Sequence, residues 1–356
     1  MQNYSPLVLF VGDLNFYAKG ASRIAAMEQL GAEVIGLPHT PMGGDATGTS
    51  GISLYFRIAW KFGIHLDTEN VNRKILDITR LKKPDVLWIE KGNMINPNTL
   101  KAVHDISPKT KIAAYSDDDM FHAINHTRAY VKSLPHYDVV FVTKSYNANA
   151  DELPALGVKR CVMVDKAYDP AQHLTQNLTP AEQSELACDV SFIGSYAPER
   201  GDVLNFLAKN GVSVVAWGNG WGLFTPINPN LTITTKPLVN TPNDLRYTKG
   251  INATKINLGF LRKINRDLQT DRSIEIPASG GFMLAERSIE HERLFEDANE
   301  AVFFESNEEL LTKIRYFLKH DEERKQIAKA GYERTRNGGY SHKDRMEGML
   351  GAVLAK

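Results

Sequence analysis

The chain has 356 residues, 42% of them hydrophobic, with 42 Lys and Arg against 42 Asp and Glu. That length exceeds one ordinary core and fits two domains of about 150–200 residues. Zero net charge leaves no electrostatic footprint for general binding to nucleic acid or an anionic membrane, and two cysteines make no disulfide framework.

Met1 to Phe10 lacks the pattern of a signal peptide. The longest apolar runs, such as Leu7–Val11 and Val139–Val142, are strand-sized and too short to span a bilayer. The expected compartment is the cytoplasm.

Periodicity predicts a strand at Leu7–Val11, a loop at Gly12–Gly20, and a helix through Ile24, Met27 and Leu30 that stops at Gly31. Strands follow at Glu33–Leu37, Asp85–Ile89, Lys111–Tyr115, Val139–Val142 and Lys159–Val164, with helical patterns among them. This alternation is that of a doubly wound parallel sheet. The polar stretch Asp165–Leu186 shows no sustained period and is expected to be an irregular connection.

The pattern then restarts. A strand is expected at Val190–Ile193, a loop at Gly194–Arg200 and a helix through Val203, Phe206 and Leu207 to Gly211. Strands at Val212–Trp217, Lys255–Leu258, Phe282–Leu284 and Ala301–Phe303 complete a second α/β half. Helices at Glu308–Leu318, near Asp321–Thr335 and near Lys343–Leu354 finish the chain. The expected division is 1–167, 168–340 and a last helix at 341–356. Two such halves predict a cleft, with the loops after each first strand facing it from the strands' carboxyl ends.

Four groups of residues can carry chemistry. Gly194-Ser195 and Arg200 sit at a strand, glycine turn and helix entry, where free N–H groups and a cation suit an anion. Gly218 and Asn219 lie in Trp217-Gly218-Asn219-Gly220-Trp221, which either admits a ligand close to the backbone or makes a tight turn that packs two indoles. Asp117-Asp118-Asp119 follows a strand, with His122 nearby. Such acids bind a metal or act as a general base, or they only cap a helix. Gly12, Asp13 and Arg23 frame the first loop. That loop has no Gly-x-Gly-x-x-Gly, which argues against a dehydrogenase and leaves the first half as the acceptor side.

The strings Phe192-Ile193-Gly194-Ser195, Lys255-Ile256-Asn257-Leu258-Gly259-Phe260, Glu275-Ile276-Pro277-Ala278-Ser279-Gly280-Gly281-Phe282 and Ile327-Ala328-Lys329-Ala330-Gly331 carry a family likeness. Over roughly residues 188–350 the chain resembles the CgeB-like (spore-maturation type) branch of the group 1 glycosyltransferases. The resemblance implies a GT-B fold: two Rossmann-like doubly wound domains, α/β in class, with the donor on the second and the last helix crossing back to the first. It implies that Asp267 meets the sugar hydroxyls and Glu275 the ribose. It also implies that Gly280 and Gly281 lie on the phosphates and Arg200 on the diphosphate.

On that resemblance no metal or other cofactor is expected. The co-substrate is a nucleotide sugar, UDP-, dTDP- or GDP-linked, and Asp118, Asp117 or His122 prepares an acceptor hydroxyl. The acceptor stays open among a glycan, a protein, a small molecule and a modified nucleic-acid base, as does the oligomeric state. A catalytically silent nucleotide- or sugar-binding protein and a nucleotide-sugar epimerase are the competing readings.

Overall fold

The computed structural model describes residues 5–43 and 54–355. The chain forms two compact units. The first comprises the chain up to Asp165, the short segment Ile264–Arg266 and the chain from His342 onward; the second comprises Lys166–Lys263 and Asp267–Ser341.

In the first unit β1 (Leu7–Gly12), α1 (Gly20–Gln29), β2 (Glu33–Pro38), α2 (Leu54–Lys61), α3 (Val71–Lys82) and β3 (Val86–Glu90) alternate with few breaks. They are followed by α4 (Pro97–Ile106), β4 (Lys111–Ser116), α5 (Arg128–Ser133), β5 (Val139–Val142) and β6 (Cys161–Met163). All six strands pair in parallel, in the order β2-β1-β3-β4-β5-β6. Strands such as Val86–Glu90 and Val139–Val142 are apolar at nearly every position because helices cover both faces of the sheet. One face packs Val71, Ile75, Leu100 and Val103 of α3 and α4. The other packs Met27 of α1 with Met346, Met349 and Val353.

The second unit opens with α6 (Pro180–Leu186), β7 (Cys188–Ile193), α7 (Pro198–Lys209), β8 (Val214–Trp217) and β9 (Leu231–Thr234). A hairpin of β10 (Asn240–Thr241) and β11 (Asp244–Leu245) leads to α8 (Arg246–Ala253) and β12 (Thr254–Gly259). Next come α9 (Asp271–Ala278), β13 (Met283–Glu286), α10 (Ile289–Leu294), β14 (Val302–Phe304), α11 (Asn307–Phe317) and α12 (Asp321–Asn337). Its parallel sheet has the order β14-β13-β12-β7-β8-β9. The last helix, α13 (His342–Leu354), lies in the first unit.

The stretch read as irregular, Asp165–Leu186, contains α6. Thr179 accepts from the Glu182 N–H while the Glu182 carboxylate accepts from the Thr179 N–H, and Pro180 occupies the first helical position. This capping box was written in Thr-Pro-Ala-Glu, and the flanking polarity hid it. The short elements β9, β10, β11, α8 and α10 carry too few residues to develop a period. No described helix is long and apolar enough to cross a membrane.

Burial pushes one histidine in each unit, His39 and His291, down to about 4. Both therefore stay neutral when folded and take up protons on unfolding below their ordinary value near 6.5. Stability is full above pH 6.5 and falls as pH drops toward 4. Each histidine contributes a loss of about 2 kcal/mol by pH 5. Urea midpoints at pH 7.5 and pH 5.0 check this, with His291→Gln expected to shrink the pH dependence of the second unit. An unchanged dependence would contradict it.

Candidate functional site

In the second sheet the strand order reverses between β7 and β12, and doubly wound sheets bind ligands outside the carboxyl ends of the strands at such a point. Two arginines converge there. Arg200 comes from the first turn of α7, which follows β7, and Arg272 from the first turn of α9, which follows β12. Both guanidinium carbons lie 5.3 Å from the Phe192 ring centroid. Arg200 Nη1 donates to the Ser195 carbonyl at 2.9 Å and Arg272 Nη2 to the Phe260 carbonyl at 3.4 Å.

The Nε of each arginine is buried without a hydrogen-bond partner among the described residues. Burial, reinforced by the charge of Arg272, pushes Arg200 down to about 10. Arg200 is buried and Arg272 half-buried, and cations placed side by side with no salt-bridge partner among the described residues are costly unless an anion completes them. Gly194 makes the convergence feasible. A Cβ there would stand 2.7 Å from Phe192 Cζ and 3.1 Å from Arg272 Nη1. Ser195 is exposed beside it.

Two carboxylates border this anion site. Asp267 is half-buried, accepts from the Arg262 N–H at 3.3 Å, and acts electrostatically on Arg200. Glu275 lies one helical turn beyond Arg272 and is 6% exposed. Its Oε2 accepts from the Tyr247 hydroxyl at 2.8 Å, and its Oε1 is 3.6 Å from His173 Nε2. His173 Nδ1 accepts from the Asp169 N–H at 3.1 Å, so a neutral ring carries its proton on Nε2, toward Glu275. The sequence reading missed Arg272, Tyr247 and His173. Arg272 was within reach of it, since it occupies the second position of the α9 helix that carries Glu275.

Gly280 and Gly281 require correction. They end α9 and lead into the amino end of β13, the opposite end of the sheet from the arginines. An eight-residue helix spans about 12 Å. Their N–H groups are already used: Gly280 donates to Pro277 O at 2.8 Å and Gly281 to Ile276 O at 3.0 Å, a Schellman closure with Gly280 at φ +81°. A Cβ on Gly280 would stand 2.7 Å from Thr175, and one on Gly281 2.4 Å from Ile251. Gly280→Val is therefore expected to lower the thermal midpoint and leave nucleoside diphosphate affinity within twofold. A tenfold loss of affinity in calorimetry would return this turn to the ligand site.

Gly218 is also occupied by the protein itself. At φ +151° its Cβ would stand 2.2 Å from the Gly194 carbonyl oxygen, so the close approach there is between two strands' ends. The Asn219 carbonyl accepts from the Tyr196 N–H at 2.8 Å, and the buried Trp221 indole donates to Gly194 O at 2.8 Å. The turn buries the indoles of Trp217 and Trp221 in separate clusters, and Trp221 pins Gly194.

In the first unit the strand order reverses between β1 and β3. There Arg23 of α1 grips both oxygens of Glu90, with Nη2 2.9 Å from Oε2. Its guanidinium lies 4.5 Å over the Tyr115 ring and 3.8 Å from Asp117. Burial pulls the Arg23 pKa down, but Glu90, Tyr115 and Asp117 together hold it above its ordinary value. At 4% exposure Arg23 is committed to this ion pair and does not present itself to an acceptor. A Cβ on Gly12 would stand 3.2 Å from Glu90 Oε2. Asp13 Oδ1 accepts from the Asn15 N–H, the Asn15 amide and the Thr40 hydroxyl, tying together the loops after β1 and β2. These three residues shape the loops.

The acidic run divides by orientation. Asp117 is half-buried and accepts from the Tyr115 hydroxyl at 2.8 Å, while Asp118 pairs with Lys91 at 2.6 Å. Asp119 is fully buried, held by Arg266 and Asn147. His122 is exposed, and its Nδ1 accepts from the Ile124 N–H at 3.3 Å within its own turn.

Residues 200–351 match the family model described as glycosyl transferase-like. No curated protein matches the chain by sequence. Among solved structures, a glycosyltransferase from Rickettsia africae aligns over 99% of each chain at 11% identity, with a TM-score of 0.66. Anabaena Alr3699/HepE in complex with UDP-glucose aligns over 98% of this chain and 100% of its own at 10% identity and TM-score 0.61. Sucrose-phosphate synthase from Thermosynechococcus elongatus aligns over 98% of each at 9% identity and TM-score 0.66. The fold is therefore that of the GT-B glycosyltransferases, and the stretch carrying Arg200, Asp267, Arg272 and Glu275 lies within the glycosyl transferase-like match.

Proposed function

We propose that the protein is a glycosyltransferase that moves a sugar from a nucleotide-diphosphate donor to an acceptor hydroxyl without a metal ion, nearest to the CgeB-like branch. The observation that carries this reading is the pair Arg200 and Arg272, two cations with no salt-bridge partner among the described residues, at the ligand-binding reversal of the second sheet. Breaking the donor's anomeric bond leaves negative charge on the departing diphosphate. Two guanidiniums held there stabilise that charge, the task a divalent ion would otherwise perform. Arg200 and Arg272 then hold the diphosphate, Gly194 and Ser195 leave room for it, Asp267 takes sugar hydroxyls, and Glu275, aimed by Tyr247 and His173, takes the ribose.

UDP-hexoses are the first donors to test, because the Anabaena neighbour holds UDP-glucose. A thermal-shift panel of UDP-, dTDP- and GDP-sugars followed by donor hydrolysis without acceptor tests the reading. Stabilisation by at least one donor together with slow hydrolysis is expected. Absence of any shift would sink the donor site. Stabilisation without turnover would favour the silent binder, and recovery of an inverted free nucleotide sugar would favour the epimerase.

Asp118 is assigned to orient the acceptor hydroxyl, with Asp117 beside it and the exposed His122 further along the same loop. Asp118→Asn is expected to lower transfer about a hundredfold while donor affinity stays within twofold. Full retained transfer would remove Asp118 from the mechanism.

A further inference from the structure

Behind the arginine pair a chain of buried hydrogen bonds runs from the end of β13 into the first turn of α9. The Glu286 carbonyl can only accept, so His291 Nδ1, 2.7 Å away, carries the proton and donates to it. In the neutral ring Nε2 must then accept, and the Ser273 hydroxyl donates to it at 2.6 Å. Ser273 Oγ in turn accepts from the Thr270 N–H at 2.9 Å, closing the cap of α9. His291 is 1% exposed and Ser273 2%, and the imidazole stacks on Phe303 with centroids 5.5 Å apart.

Arg272 lies in the chain between Thr270 and Ser273. The turn that this relay fixes is therefore the one that brings the Arg272 guanidinium to Gly194. Three further buried polar groups brace the same corner. Gln269 accepts from the Lys166 N–H at 3.0 Å and donates to Glu290 Oε2 at 2.7 Å. A purely apolar filling of this space would pack as well as a histidine does. The polar relay adds direction: it fixes where the first turn of α9 points.

We propose that His291 is a positioning residue for the diphosphate. It touches no ligand, and through Ser273 it holds the first turn of α9 so that Arg272 meets phosphate oxygens. The proposal rests on the reading of Arg200 and Arg272 as the diphosphate site. Phenylalanine at this position keeps a ring against Phe303 and loses the acceptor. Glutamine keeps one donor and one acceptor at similar reach.

Inorganic pyrophosphate and UDP, titrated by calorimetry, test it independently of base preference. His291→Phe is expected to weaken pyrophosphate at least tenfold and His291→Gln less than threefold. In an Arg272→Gln background His291→Phe should change pyrophosphate affinity less than twofold, because the group being positioned is gone. Ser273→Ala, a smaller change, gives the same readout if His291→Phe does not fold. Wild-type affinity in both His291→Phe and Ser273→Ala overturns the proposal, as does a full additional loss in the Arg272→Gln background. Wild-type protein that binds neither probe overturns the diphosphate reading itself, and this inference with it.

Discussion

Arg200→Met is expected to raise the thermal midpoint of the ligand-free protein while sharply weakening nucleoside diphosphate binding. The two effects share a cause. Arg200 is 4% exposed, has no carboxylate partner among the described residues, and is pushed down to about 10 from an ordinary value of 12.5. At neutral pH it is charged in both the folded and the unfolded chain. Its depressed folded value therefore measures a penalty on folding, roughly 3 kcal/mol at 1.4 kcal/mol per tenfold. Methionine fills much of the volume and removes that penalty, so the midpoint should rise by several degrees.

The same charge is what the diphosphate needs. Loss of one such contact costs about 3 kcal/mol, or roughly a hundredfold, and Arg200→Met with Arg272→Met should cost more than either alone. Differential scanning fluorimetry and calorimetry on the same preparations decide the matter. A variant that binds as wild type, or one that loses binding together with a fall of several degrees, would show that Arg200 is a structural residue.

Glu90→Ala should be the most destabilising change in the first unit. It strands Arg23, which is buried with Nε and Nη2 both directed at that carboxylate. Breaking a buried pair from one side typically costs about 3–5 kcal/mol, whereas replacing both partners with apolar groups is often neutral or better. The double variant Arg23→Met with Glu90→Leu should therefore recover most of the lost stability. Urea denaturation of the single and double variants measures the difference. Equal stability of Glu90→Ala and wild type would mean that Asp117, 3.8 Å from Arg23, already supplies the counter-charge.

Strand and helix identities were largely local matters. Continuous apolar runs such as Val86–Glu90 and Val139–Val142 are strands because a doubly wound sheet is covered on both faces. A helix such as Asn307–Phe317 buries Leu310, Leu311, Ile314 and Phe317 because those positions recur at helical spacing. The placement of Arg200 after the first strand of the second half, and of Asp267 and Glu275 eight positions apart, was also visible. What local pattern misassigned was orientation along an element. Gly280 and Gly281 follow Glu275 closely in the chain, yet α9 carries them to the far end of the sheet, where their N–H groups close the helix.

Pairing belongs to folding alone. Arg23 and Glu90 are 67 residues apart, Tyr247 and Glu275 28, and Ser273 and His291 18. No periodicity encodes such distances, because each pair meets only where two strand ends or two helix ends converge. The chain's own letters therefore specified the longer elements, the two-sheet class and the acidic and glycine-bearing stretches. Three-dimensional packing alone decided which charges neutralise one another, as Arg23 does with Glu90, and which have no salt-bridge partner among the described residues, as Arg200 and Arg272 do. The reason is physical: solvation and counter-charge depend on neighbours in space, which the order of residues does not state.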